Sequence, residues 1–125
     1  MEVQIIEICS NVVSVKTAIG NFNGIWCSPT LDIFKRYIVE LESDEVLTPD
    51  VIKFSSSNKP CIEAVCNNIN VTGFVEEIHD NVMIFRLQKT LMMLEICSHA
   101  EFIQYLGHYV VVILGEIKLY DTGIL

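Results

Sequence analysis

The segment that most constrains this chain is Val71–Leu87, where two β-rich runs flank one turn. Val71 to Ile78 and Val82 to Leu87 are strong strand formers, and His79-Asp80-Asn81 between them is a three-residue connection of hairpin chemistry. An isolated two-stranded hairpin is marginal in water, so the remaining sequence has to supply neighbours.

It does so repeatedly. Residues 2–9 are rich in β-branched side chains, and Val12 to Ile19 alternates, with Val13, Val15 and Thr17 opposing Ser14 and Lys16. Residues 31–42 fit two patterns. Leu31, Phe34, Tyr37, Ile38 and Leu41 have helical spacing, whereas Leu31, Ile33, Tyr37, Val39 and Leu41 alternate; the β-favouring Tyr37-Ile38-Val39 tips the reading to a strand at 36–42. Short strands are expected at 51–54 and 91–97. Tyr109 to Leu114 is apolar on both faces and is expected to be a central strand, with Gly115 as a bulge before 116–120.

Gly20-Asn21-Phe22-Asn23-Gly24 reads as a turn, because Gly and Asn tolerate positive φ, and residues 55–60 read as a loop. Ser98-His99-Ala100-Glu101 has the capping-box pattern, followed by an apolar face of Phe102, Ile103 and Leu106 and a terminating Gly107. No internal repeat stands out. The expected fold class is mainly β, with α+β open: an antiparallel curled sheet, barrel or sandwich carrying one short helix near 99–106, in a single domain over 1–125.

Of the 125 residues 51% are hydrophobic and 19% charged, enough apolar surface for a core and too much for a disordered chain. The apolar run at 109–114 is far short of the ~20 residues a membrane-spanning helix needs. Met1-Glu2-Val3-Gln4-Ile5-Ile6-Glu7 lacks the positive start of a secretory signal, so a cytoplasmic location is expected. The odd set Cys9, Cys27, Cys61, Cys66 and Cys97 suits that compartment, as small buried hydrophobes rather than a disulfide framework.

A search for chemistry returns little. No Gly-rich phosphate loop and no His-Glu-x-x-His pattern occur. Cys61, Cys66 and His79 would still lack a fourth metal ligand in register. His79, His99 and His108 read as surface or hydrogen-bonded histidines. Glu76 and Glu77, as strand neighbours, would point to opposite faces and so would not share a substrate. No catalytic, metal or cofactor residues are therefore assigned, and a non-enzymatic role is expected.

Charge is more informative. The net charge of −8 disfavours nucleic acid and anionic membranes and favours a basic partner. No Lys or Arg occurs from Tyr37 to Ile52, where Glu40, Glu42, Asp44, Glu45 and Asp50 cluster. Glu76, Glu77 and Asp80 occupy a second base-free stretch, Pro60 to Phe85.

Small size, acidity and the absence of chemical motifs, together with the C-terminal run Val110-Val111-Val112-Ile113-Leu114-Gly115-Glu116-Ile117-Lys118-Leu119-Tyr120-Asp121, resemble the immunity proteins of bacterial contact-dependent growth inhibition and related polymorphic toxin systems. The resemblance is one of type. It implies a monomer or homodimer that occludes the basic active site of a cognate, nuclease-like toxin domain. The charged contacts would come from Glu40, Glu42, Asp44, Glu45 and Asp50, then Glu76, Glu77 and Asp80, with Trp26 or Tyr37 as aromatic anchor. It also implies that the terminal run closes as a hairpin. The alternatives are an adaptor or oligomeric structural subunit and a small-ligand-binding β-barrel.

Overall fold

The structure is a computed structural model and describes residues 1–124. It is mainly β, with one short helix. The strands are β1 Glu2–Cys9, β2 Val12–Thr17, β3 Gly20–Trp26, β4 Arg36–Glu42, β5 Val46–Leu47, β6 Ile52–Phe54, β7 Cys61–Val65, β8 Asn68–His79, β9 Val82–Leu87, β10 Thr90–Ile96, β11 Tyr109–Leu114 and β12 Lys118–Asp121. Helix α1 is His99–Phe102, continued by a 3-10 turn at Ile103–Tyr105. The ambiguous 36–42 segment is a strand, as its Tyr-Ile-Val centre predicts.

Strands β1-β2-β3-β12-β4 close into a barrel, and β5-β10-β9-β8-β11-β6 form a second sheet with β7 paired to β8. Within the barrel β3 and β12 run parallel and every other pair is antiparallel. A five-stranded Greek-key barrel of this kind is used by oligonucleotide- and oligosaccharide-binding domains, but a fold by itself assigns no function.

The molecule is built twice, against the expectation of no internal repeat. In the β1–β2–β3 meander Ile5 faces Val15, Glu7 faces Ser14, and Val13 faces Gly24. Seventy positions on, Val75 faces Phe85, Glu77 faces Ile84, and Met83 faces Leu94. Both copies carry a bulge at the same place, between Ile5 and Glu7 and between Val75 and Glu77. Their first turns use a left-handed residue at the same place, Ser10 (φ 58°) and Asp80 (φ 51°).

The fourth strand repeats as well, at a slightly longer offset. Phe34 (φ 65°) precedes β4 as Gly107 (φ 78°) precedes β11, and each donates its N–H to the first strand, to Ile5 and Val75 respectively. Few residues are shared (Glu7-Ile8 and Glu77-Ile78, Asn11-Val12 and Asn81-Val82, Cys27-Ser28 and Cys97-Ser98). What the copies share is the alternation of burial and the register.

Their fifth strands are exchanged. The first copy's β5 pairs parallel with β10 of the second, and the second copy's β12 returns to pair with β3 of the first. The C-terminal run therefore does not close as a hairpin. After β11 the chain leaves its own sheet for the other one, with Ile117 fully buried at the crossing. In the second copy the fifth strand is broken: Pro49–Val51 forms a 3-10 turn between β5 and β6. Only Tyr120 separates Leu119 from Asp121 at the matched place, so the first barrel closes and the second does not.

One cluster of buried apolar side chains runs through both copies, from Val3, Val15 and Leu41 to Phe85, Leu94 and Phe102. Among the described residues no polar or charged residue is buried.

Several local expectations are corrected. Gly20–Gly24 is not a turn but part of β3: Asn21 and Asn23 face out, Phe22 faces in, and Gly24 is also inward because Leu119 packs there. A Cβ at Gly20 would lie 1.9 Å from the Ile62 carbonyl oxygen, so this glycine serves a close approach between the copies. The β8–β9 connection is Asp80-Asn81 alone, since His79 already pairs with Val82. Ser98 caps α1 through position only; its hydroxyl makes no capping bond, and Glu101 hydrogen-bonds the Cys97 thiol instead.

The cysteines are not buried. Cys9, Cys27, Cys66 and Cys97 are exposed, Cys61 is half-buried, and all are free thiols. They occupy strand ends and turns, where apolar neighbours in sequence do not imply burial in space.

Candidate functional site

The acidic residues singled out by sequence separate into two groups. Glu40 and Glu42 face outward on β4, opposite Tyr120 and Lys118. Lys118 donates to the Asp44 carboxylate, an interaction that raises the Lys118 pKa. Glu45 serves the fold itself, since both its carboxylate oxygens accept the Gly115 N–H at 2.9 Å, where the chain leaves β11. Asp50 accepts the Thr48 hydroxyl, which with its own backbone N–H holds the carboxyl below its usual range. Of the first-ranked group, Glu40 and Glu42 alone have no such bond among the described residues.

The second group lies on the other sheet. The bulge at Val75/Glu77 corrects the expectation that Glu76 and Glu77 point apart, because it keeps both out of the core. Glu76 accepts the Arg86 guanidinium, which holds its carboxyl below the usual range. Glu77 contacts His79 at 3.0 Å, and the Asp80 carbonyl accepts His99 Nδ1 at 3.2 Å. No hydrogen bond or ion pair joins the two groups among the described residues. Trp26 and Tyr37 are core residues, packed edge-to-face with ring centroids 4.8 Å apart.

What the sequence reading missed is the face that the second group borders. The outward side chains of β8–β11 include a set of apolar residues around the Arg86–Glu76 ion pair. Phe74 and Tyr109 pair across strands with centroids 5.3 Å apart. Ile84 and Met93 oppose each other one step away, and Leu91 and Val111 extend the surface on either side. Met93 is 71% exposed and Leu91 46%. Glu77, Asp80 and Glu95 lie at its β8–β9 turn end, and Arg86 within it is neutralised by Glu76.

The first copy supplies the control. At matched registers Gln4 stands for Phe74, Ser14 for Ile84, Asn21 for Leu91, Asn23 for Met93, Arg36 for Tyr109 and Ile38 for Val111. The same ladder therefore forms with polar residues at five of these six outward positions, Ile38 being the exception, so the apolar residues of the second copy at those places are no requirement of the fold. Apolar side chains gathered on an exposed face and accompanied by charge are a usual mark of a binding face. The signal was present in the sequence as Leu91-Met92-Met93-Leu94, apolar on both sides of a strand that has only one side in the core.

The outer face of β2 and β3 presents Ser14, Lys16, Asn21 and Asn23, with no aromatic ring on which a base could stack. Among the described residues no group of His, Cys, Asp and Glu could hold a metal ion, and no helix is long and apolar enough to cross a membrane. No protein-family model matches the chain, nor does any curated protein or solved structure.

Proposed function

We propose that the protein works by binding another protein on the outer face of β8–β11. The observation that carries this reading is the substitution of Phe74, Ile84, Leu91, Met93 and Tyr109 for polar residues at matched registers of the first copy. Aromatic and aliphatic anchors at the centre of such a face supply the affinity. Glu77, Asp80 and Glu95 at one end favour a partner with a basic rim and accelerate encounter rather than holding the complex. The resemblance noted above gives this its specific form: the partner is a toxin domain whose basic active site the protein covers. In that form Glu77 and Asp80 of the second-ranked carboxylates matter more than Glu40, Glu42 and Asp44, because they border the apolar face, whereas Glu76 is held by Arg86.

The test is calorimetry with the toxin-like domain encoded beside the gene, at low and high salt. A double exchange to the first copy's residues, Leu91→Asn with Met93→Asn, is expected to weaken binding at least tenfold, about 1.4 kcal/mol or more. Its effect on stability should stay within about 0.5 kcal/mol. Glu77→Lys with Asp80→Lys should chiefly slow association and flatten its salt dependence. Binding indifferent to the Asn exchange would remove the face from the mechanism, and no binding would remove the toxin reading. A dimer that dissociates on the Asn exchange would assign the face to self-association instead.

A further inference from the structure

An open cleft of about 520 Å³ lies at the seam between the copies. It brings together Lys16, Arg36 and Lys89, from a chain with only eight basic residues against sixteen acidic ones. Among the described residues none of the three has an ion-pair partner. Glu2 is the one carboxylate on the cleft wall.

The arrangement follows from the register. Lys16 on β2 and Arg36 at the start of β4 both oppose Gln4 on β1, so the three form one outward row. Strand spacing puts the two cations about 10 Å apart at Cα, within joint reach of one ligand for side chains of that length. Lys89 reaches the same space from the β9–β10 turn of the second copy, beside Gln88 and Thr90. Buried Val3, Ile19 and Leu87 contribute apolar wall.

The second copy again gives the contrast. Its residue matched to Lys16 is Arg86, and that charge is held by Glu76. In the first copy the position of Glu76 is taken by Ile6, so Lys16 stays free. The position of Arg36 is taken in the second copy by Tyr109, and that of Lys89 in the first copy by Ile19, which is buried and accepts the Ile62 N–H at 2.9 Å. In a strongly acidic protein, three unpaired cations from three segments facing one cleft amount to a local reversal of charge.

We propose that this cleft binds a small, multiply charged anion of the phosphate-ester class. Arg36 offers a planar fork suited to two phosphate oxygens, and the two lysines add point charges. Gln4, Gln88 and Thr90 add neutral hydrogen-bonding groups, and the volume exceeds that of a lone phosphate. The site is separate from the apolar face and does not depend on the protein-binding reading.

Calorimetry with inorganic pyrophosphate and with ADP at about 0.1 M salt tests it, with citrate as the carboxylate comparison. Saturable binding of pyrophosphate or ADP with a Kd below about 1 mM, about −4 kcal/mol, is expected. Lys16→Ala, Arg36→Ala and Lys89→Ala combined should weaken it at least tenfold, and Lys53→Ala with Lys59→Ala should leave it unchanged. Lys89→Ala alone, in an exposed turn, carries the test if the triple variant loses its fold by circular dichroism. The proposal is overturned by the absence of saturable binding, by indifference to the cleft substitutions, or by citrate binding as tightly as pyrophosphate.

Discussion

The two copies in this chain share a ladder and differ in nearly everything the ladder does not dictate. The first closes around β12, has Gln4, Ser14, Asn21, Asn23 and Arg36 on its outer face where the second has apolar residues, and leaves Lys16 unpaired. The second remains open at the broken β5–β6 strand, exposes an apolar face, and pairs Arg86 with Glu76. Inward positions, by contrast, are apolar in both: Val13 and Met83, Val15 and Phe85, Phe22 and Met92, Trp26 and Ile96 are all buried. The core alternation is thus what folding demands of either copy, and the outward residues are free to serve binding.

The exchange of fifth strands makes a strong claim on this comparison: neither copy completes its sheet without a strand from the other. Phe85 is fully buried in the second copy, and Phe85→Ala should cost about 3–5 kcal/mol by the lost transfer energy and the cavity left behind. Trp26, the only tryptophan, reports on the first copy. Its fluorescence midpoint in urea should fall by the full amount and coincide with the transition seen by far-UV circular dichroism. A Trp26 transition left in place would mean that the copies unfold independently, and the exchange would then carry no shared stability.

How much of this was legible in the sequence follows from the same division. Period-2 alternation within 12–17, 36–42 and 71–87 reports which side chains face the core, so those strands could be read directly. The exchange could not, because β5 and β12 are only two and four residues long and their pairing with β10 and β3 is set by topology. The repeat was hidden because outward residues diverged from Gln4 to Phe74 and from Asn23 to Met93, leaving few identities for the eye. Gly20 and Gly24 misled for a related reason. Turn chemistry and close approach call for the same residue, and only Ile62 and Leu119, distant in sequence, decide between them.

The carboxylates were visible as a composition, but their separate roles were not. Glu45 looked like Asp44 in the sequence; one serves the Gly115 N–H group across the chain and the other faces Lys118. The cleft was harder still to find, since Lys16, Arg36 and Lys89 come from strands and a turn that nothing local links.

A milder contrast lies just before the fourth strands. Phe34 holds a left-handed φ of 65° where the second copy has Gly107 at 78°. Phe34 is 66% exposed, so little packing is at stake. A left-handed non-glycine residue costs roughly 1–2 kcal/mol, against about 0.5–1 kcal/mol for the extra freedom glycine brings to the unfolded chain. Phe34→Gly should therefore stabilise the protein by about 0.5–1 kcal/mol, read as a higher urea midpoint at unchanged m-value. A loss of stability would show that the exposed ring contributes packing beyond its strain.

The smallest expected effect concerns acid. Arg86 draws the Glu76 carboxyl below its ordinary value of 4.5, so the folded state holds its proton less tightly than the unfolded chain. The resulting stability is fully present above that ordinary value and disappears as the pH falls through the lower folded value. Glu76→Gln should therefore reduce stability slightly at neutral pH and not at all at strongly acid pH, where the wild-type carboxyl is already protonated. Urea midpoints of the two proteins should converge as the pH falls through that lower folded value. Matched Lys16 in the first copy has Ile6 where Arg86 has Glu76, so Ile6→Glu should produce the opposite result, a new acid-dependent increment and a partly neutralised cleft. Parallel pH curves for wild type and Glu76→Gln would show that the Arg86 pair adds nothing to the fold, leaving the neutralisation of a charge inside the apolar face as its one consequence.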